Sequence, residues 1–390
     1  MAFRAPINYI NSHYIEKPER NEEMEINLPR TDLVRELYFL QGIVERKSAI
    51  PILSNTLIEA RAQEISFSAT DLDLSLRSAC AAQVTEEGSI TINTKKLYEI
   101  ARSLPEADVS IKLLPEYWIA IECGSVAFKL AGLPKQDFPA LPQRGGAAAI
   151  EINGEALRDL AARTAFAVSG EDARYYLAGA QLVLEEGAAA LVSTDGHRLA
   201  YARRSSAYAG RASKRVLIPR KAVHEIGRLL EGSESIEFEE SANHLLFTVG
   251  KRTLASKMVE GQFPSFENVI STKGDKRVLI SREALLTAIR RVSLVASDRT
   301  RSIRLTAGPG IVTVAAASPD LGEARETVAA EYDGVEVTIG FNAQYLLDFL
   351  LTAGTDRISI ELKNAESQGV FRPAGDTPTD HCYIVMPMRL

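Results

Sequence analysis

Val278-Leu-Ile-Ser-Arg-Glu-Ala-Leu285 reads as a short strand, a serine cap and the first turn of an amphipathic helix. The same order of elements occurs twice upstream, in Ile150-Glu-Ile-Asn-Gly-Glu-Ala-Leu157 and Ile26-Asn-Leu-Pro-Arg-Thr-Asp-Leu33, with the matched leucines 128 and 124 positions apart. A second strand-to-helix junction recurs at a similar step, in Thr91-Ile-Asn-Thr-Lys-Lys-Leu97, Leu217-Ile-Pro-Arg-Lys-Ala-Val223 and Ile339-Gly-Phe-Asn-Ala-Gln-Tyr-Leu346. Phe138-Pro139 is echoed by Phe263-Pro264, and Thr70-Asp71 by Thr194-Asp195, 125 and 124 positions on. Four anchors therefore agree on one period. It is too long for a solenoid unit, so each copy is a domain with its own core.

Within each copy, helical runs (Leu33, Leu37, Leu40, Val44; Leu157, Leu160, Thr164, Val168; Leu285, Ile289, Val292, Val295) are followed by segments of period two, such as Ile65–Ala69, Trp118–Cys123, Gln181–Glu185, Leu245–Val249 and Ile358–Leu362. This predicts an α+β fold of three tandem similar domains, each with two helices packed on an antiparallel sheet. The expected limits are 24–146, 147–273 and 274–390, with residues 1–23 as a disordered N-terminal extension. Small or polar stretches at Gln143–Ala149 and Ser271–Lys276 mark the joins.

The 390 residues are 46% hydrophobic and 25% charged, which suits a chain with sizeable cores. No run approaches the roughly 18 apolar residues of a spanning helix, and the polar first 20 residues carry no secretory core, so a soluble, cytoplasmic, nucleoid-associated protein is expected. Cys80, Cys123 and Cys382 form no C-x-x-C pair, and the five histidines show no metal-ligand spacing. Neither a metal nor another cofactor is expected. Asp195 and His197 with Ser193 or Ser169 would make a poor catalytic set, because no G-x-S-x-G and no phosphate-cradling glycine loop accompanies them. A non-enzyme is expected.

Formal charge is −6, yet the six helical windows together sum to +6 and leave −12 for the rest of the chain. Four of the six are net positive. Such an asymmetry suits one surface facing a polyanion and another that repels it.

Ile50-Pro-Ile-Leu-Ser-Asn55, Asp172-Ala-Arg-Tyr-Tyr-Leu-Ala-Gly179, Thr194-Asp-Gly-His-Arg-Leu-Ala200, Ile218-Pro-Arg-Lys221, Gly340-Phe-Asn342 and Val385-Met-Pro-Met-Arg-Leu390 resemble, in order and across all three copies, the bacterial DNA polymerase III beta subunit (beta sliding clamp) family. The resemblance spans Met24 to Leu390. It implies a DNA-clamp fold and a ring-shaped head-to-tail homodimer around double-stranded DNA, bound without regard to sequence. It further implies a processivity subunit without an active site of its own, in a holoenzyme that is a DNA-directed DNA polymerase. The implied partners are the replicative polymerase alpha subunit, the clamp loader, and other polymerases and mismatch-repair proteins, all docking through linear peptide motifs.

By the same resemblance, the peptide-binding groove has a deep apolar part formed by Leu177, Thr194, Gly196, His197, Arg198, Leu199, Pro264, Val269, Ile384 and Met386. A neighbouring part uses Arg174, Tyr176, Asn342, Tyr345, Pro387, Met388 and Arg389. Methionine and leucine suit Leu or Phe anchors, and Arg and Asn suit polar groups of a peptide. Phosphate contacts fall to Arg46, Lys47, Lys95, Lys96, Arg220 and Lys221. At the dimer interface, Phe128 and Leu130 meet Leu294 and Val295, with ionic support from Glu323 and Glu326. Asn268 stands where the family often has a basic residue, and Glu171 where it has a neutral polar one; no groove residue is expected in 363–369. A second function with the same fold is an accessory or antibiotic-resistance copy of the clamp.

Overall fold

The computed structural model describes residues 23–45, 49–146, 148–170, 174–211, 213–241, 243–297 and 299–389. Arg46, Lys47, Glu171, Leu390 and all of the expected extension but residue 23 lie outside them. The described chain divides into two compact units. One holds residues up to 38 together with 46–67 and 79–138; the other holds 39–45, 68–78 and everything from Pro139 on.

Seven helices are described: α1 (Arg30–Leu40), α2 (Thr94–Ser103), α3 (Gly154–Thr164), α4 (Arg220–Leu229), the single turn α5 (Glu267–Ile270), α6 (Arg282–Val292) and α7 (Ala343–Thr352). Their starts follow from the sequence. The side-chain oxygens of Asn93, Asn153, Ser281 and Asn342 accept from the backbone N–H of Lys96, Ala156, Ala284 and Gln344, capping α2, α3, α6 and α7. Pro219 takes the equivalent place before α4 and offers no side-chain cap.

The helical runs end earlier than the apolar spacing predicts. Val44 lies in a turn beyond α1, Val168 follows the 3-10 turn Ala165–Ala167, and Val295 closes the 3-10 turn Ser293–Val295. Val44 and Val168 are still buried and Val295 packs on a core, because the chain leaves the helix while keeping the same side inward.

In the first unit an antiparallel sheet runs Gln83–Glu86, Glu25–Pro29, Asp108–Leu114, Trp118–Cys123, Val126–Ala131, and Asn55–Arg61 pairs with Gly88–Asn93. Beneath it lie Ile26, Leu28, Leu33, Leu37, Leu97, Ile111 and Ile121, all essentially inaccessible.

The second unit contains a ladder of twelve strands. Its middle joins the second and third sequence copies: Arg198–Ser205 pairs antiparallel with Thr379–Val385, in register from Arg198 opposite Val385 to Arg204 opposite Thr379. On α3, Arg163 donates to the carbonyls of Thr352 and Ala353 at the end of α7. The core under the third copy centres on Phe341, Phe349, Phe371 and Tyr383, with Phe349 and Tyr383 stacked at 5.3 Å. A separate sheet runs Ile150–Asn153, Ser235–Glu240, His244–Val249, Arg252–Lys257 and on to residues 74–77.

Candidate functional site

The Thr194-Asp195 echo of Thr70-Asp71 is a structural motif. The Thr194 hydroxyl accepts from the Gly196 N–H, and Oδ1 of Asp195 accepts from the N–H of both His197 and Arg198. Aspartate and threonine favour such side-chain-to-backbone turns. The turn aims Arg198 inward, where its side chain is 10% exposed.

Arg198 ties three parts of the unit together: the Asp195 turn, α7 and the turn that holds Phe166. Its Nε donates to Asp195 Oδ2 (2.9 Å), Nη1 to Asp348 Oδ2 on α7 (2.6 Å) and Nη2 to the Phe166 carbonyl (2.7 Å), while its guanidinium lies 4.2 Å from the Tyr345 ring centre. Desolvation works to lower its pKa, but Tyr383, Asp348 and Asp195 outweigh that and raise it. Arg198 is thus a fixed cation whose donors are committed inside the protein. Burial raises the Tyr345 pKa, so its hydroxyl stays protonated across the neutral range.

An open cleft of about 350 Å³ lies over this network, lined by Phe166, Val168, Ser169, Gly170, Arg174, Asp195, His197, Arg198, Arg220 and Tyr345. Next in the same unit is an apolar cluster of Val183, Val192, Leu199, Leu217, Phe263, Phe266, Val370, Cys382 and Ile384, with Tyr176, Tyr201 and Val269 packed against it. The terminal segment is fastened at two points: the Met386 N–H donates to the His197 carbonyl (2.9 Å) and the Met388 N–H to the Gly340 carbonyl (2.8 Å).

Of the expected groove residues, the structure gathers Arg174, His197, Arg198 and Tyr345 around the cleft and Tyr176, Leu199, Val269 and Ile384 around the apolar cluster. Leu177 and Thr194 are buried, Pro264 is exposed, and Met386 is 49% exposed. Pro387 is half-buried. Met388 and Arg389 instead border a broad concavity of about 1040 Å³ over strands Ser302–Gly308 and Ile311–Ser318. The side-chain oxygen of Asn342 caps α7.

Several participants were not foreseen. Phe166, Asp348 and Phe266 have no motif of their own, although Phe266 lies in the Phe263-Pro-Ser-Phe266 stretch. In 363–369, Gln368 donates to the Val269 carbonyl, and Val370 just beyond joins the apolar cluster.

The expected phosphate ligands differ in their surroundings. Lys96 is exposed and pairs with Glu99 at 2.6 Å, and Lys95 is half-buried. Lys221 is drawn into the fold by Asp71 and the Ile43 carbonyl. Arg220 is exposed at the start of α4 and faces the cleft. Among the expected interface residues, Phe128 and Leu130 lie on one face of the terminal strand Val126–Ala131, and Leu294 is 79% exposed. Glu323 is exposed, and Glu326 is paired with Arg291 of α6.

Comparison with known proteins places this architecture. Family profiles described as the N-terminal, central and C-terminal domains of the DNA polymerase III beta subunit match residues 24–142, 151–265 and 267–389. The chain is 36% identical over 372 residues to a beta sliding clamp of Pseudomonas putida, covering 94% of this chain and all of the relative. It is 37% identical over 374 residues to one of Caulobacter vibrioides, with the same coverage. The crystal structure of the DNA polymerase III subunit beta from Pseudomonas aeruginosa superposes with a TM-score of 0.85 at 34% identity, covering 94% of this chain and all of that one. A sliding clamp from Bartonella birtlesii bound to griselimycin gives 0.86 at 32% identity and the same coverage. With all three copies matched in order, the chain belongs to the DNA polymerase III beta subunit family, the beta sliding clamps.

Proposed function

We propose that this protein is the processivity clamp of a replicative DNA polymerase: two copies close head to tail around duplex DNA, and linear peptides of polymerase, clamp loader and repair proteins dock beside Arg198. The observation that carries this is the ordered match of all three copies to the sliding-clamp family over residues 24–389. The domain limits are 24–146, 147–273 and 274–390. The protein is not itself a catalyst.

Ring closure would use two strand edges. Val126–Ala131 ends its sheet, and residues 322–329 of Gly322–Glu331 pair on one side only among the described residues. An edge strand carries a row of open backbone groups, so antiparallel addition of one copy's edge to the other's satisfies both. Phe128, Leu130, Leu294 and Val295 would supply the apolar contact beside that seam.

Lys95 and Lys96, with Arg46 and Lys47, would touch phosphates through mobile, salt-sensitive contacts, because a closed ring needs no tight grip and slides better without one. The apolar cluster around Leu199 and Ile384 would take the hydrophobic anchor of a docked peptide. A cytoplasmic location at the nucleoid follows from this role, and no helix among the described residues is long and apolar enough to cross a membrane.

The test is retention on nicked circular plasmid after loading, with release on linearisation; equal retention on both forms would rule out encirclement. Deleting the gene in its host separates the replicative clamp, whose loss is lethal, from an accessory or resistance copy, whose loss is survived.

A further inference from the structure

We infer that the open face of the third copy's sheet holds a site for a phosphomonoester, presented on an extended, phosphorylated segment of a partner protein. The site stands apart from the peptide groove and does not depend on it.

Strands Val337–Asn342, Ser302–Gly308, Ile311–Ser318 and Gly322–Glu331 lie side by side, and their registers set two neighbouring rows of side chains on one face. One row runs Gly340, Arg304, Ala315, Arg325; the next runs Thr338, Thr306, Thr313, Thr327. Along the threonine row the hydroxyls of Thr306 and Thr338 are 2.9 Å apart and those of Thr313 and Thr327 3.4 Å. The concavity of about 1040 Å³ lies over both rows, and Arg389 of the terminal segment borders it.

Charge decides what this trough takes. Arg304 and Arg325 are exposed and make no ion pair among the described residues. Their Cα atoms are two strand spacings apart, about 10 Å, with only the Ala315 methyl between them, so two long guanidinium side chains can close on one anion above it. The two carboxylates of the trough do not answer them: Glu323 lies two residues along the strand from Arg325, Glu336 lies beyond the threonine row beside Gly308, and neither is paired among the described residues. A phosphomonoester carries about −1.5 to −2 charges at neutral pH and three acceptor oxygens, which suffices for both guanidinium forks and a threonine hydroxyl together. A carboxylate has fewer acceptors and half the charge.

The carrier follows from the rest of the lining. No aromatic ring lines the trough, so a nucleobase has nothing to stack on. Hydroxyls and small side chains suit an extended polypeptide laid across the strands, the mode in which arginine clusters take phosphorylated segments.

The experiment uses the full-length protein and a fluorescein-labelled synthetic peptide of Gly, Ala and Thr with a central phosphoserine, compared with the same peptide carrying serine, with binding read by anisotropy at low and high salt. Wild type is expected to bind the phosphoserine peptide about tenfold or more tightly at low salt, the scale of a charge-assisted contact, and the advantage should shrink as salt is added. Arg304→Gln and Arg325→Gln should each lose most of the advantage, and the double variant all of it. Thermal melts establish that the variants are folded. Equal binding of the two peptides to wild type overturns the site, as does an advantage that survives in the double variant. Inorganic phosphate or AMP displacing the peptide at equal concentration would make the ligand a free anion and remove the docked segment.

Discussion

Leu72 and Gly196 occupy the same place in two copies of one turn, with φ of 81° and 86°. In each, a threonine hydroxyl accepts this residue's N–H and an aspartate accepts the next two. The first copy tolerates a left-handed leucine; the second has glycine, with the Arg174 guanidinium close above it.

Gly196→Ala should therefore cost about 1–2 kcal/mol in backbone strain. The new Cβ would also press within 3.1 Å of Arg174. Leu72→Gly should stay within about 0.5 kcal/mol of wild type, since relief of strain and the greater freedom of the unfolded chain oppose each other. Urea midpoints at constant slope measure both; an unmoved midpoint for Gly196→Ala would contradict the strain.

Removing the charge at Arg198 leaves Asp195 and Asp348 facing each other in a mostly buried site. Arg198→Met is expected to lower stability by about 3–5 kcal/mol, the usual scale for breaking a buried pair. Peptide binding should weaken as well, because the Asp195 turn, α7 and the Phe166 carbonyl lose their common tie. Stability within experimental error of wild type would show that the network is not holding them.

His381 is 2% exposed, packs 5.2 Å from the Phe349 ring, and has no hydrogen-bond partner on either ring nitrogen among the described residues. Burial is the main cause that pulls its pKa down to about 3; Arg163 and Arg372 push the same way and Asp159 the other. The unfolded chain takes up this proton near about pH 6.5. Above that pH the residue has no effect. As pH falls toward 3 the unfolded state alone is protonated, so stability drops by up to about 1.4 kcal/mol per pH unit. Asp159 adds a loss at lower pH: burial works to raise its pKa, but hydrogen bonds from Arg163 and Thr379 prevail and hold it below the ordinary carboxylate range. Denaturation of His381→Phe at several pH values should show one proton less in the slope between about pH 6 and about pH 4.

Truncation before Met386 removes both fastenings of the terminal segment, to His197 and to Gly340. Polymerase stimulation should vanish while sedimentation still reports a dimer. Full stimulation by the truncated protein would take the groove away from this segment.

Replacing Phe128 and Leu130 together with alanine should weaken the dimer by at least about tenfold, as loss of a central apolar contact does at other interfaces. Analytical ultracentrifugation over a dilution series reads this directly. An undisturbed dimer would move the seam elsewhere.

Much of the architecture was legible because each copy repeats a local signal. The Asn or Ser before α2, α3, α6 and α7 caps its helix, and the alternating runs are strands. What could not be read were the pairings between copies. Nothing local says that Arg198 will lie opposite Val385, or that Asp348 on α7 will reach Arg198, since each depends on the register of two distant segments. The family motif singled out Arg198 and Asn342 as groove residues. It did not reveal that one is locked to two carboxylates and the other caps a helix.

The strand Thr379–Val385 lies between Arg198–Ser205 and Gly369–Ala374, and both neighbours are synthesised before it. A nascent chain on the ribosome can fold its earlier copies yet still lack the strand that joins Arg198–Ser205 to Gly369–Ala374. The groove proposed above is therefore completed only after both neighbouring strands have been made, and a chain that stops short of Thr379 lacks it.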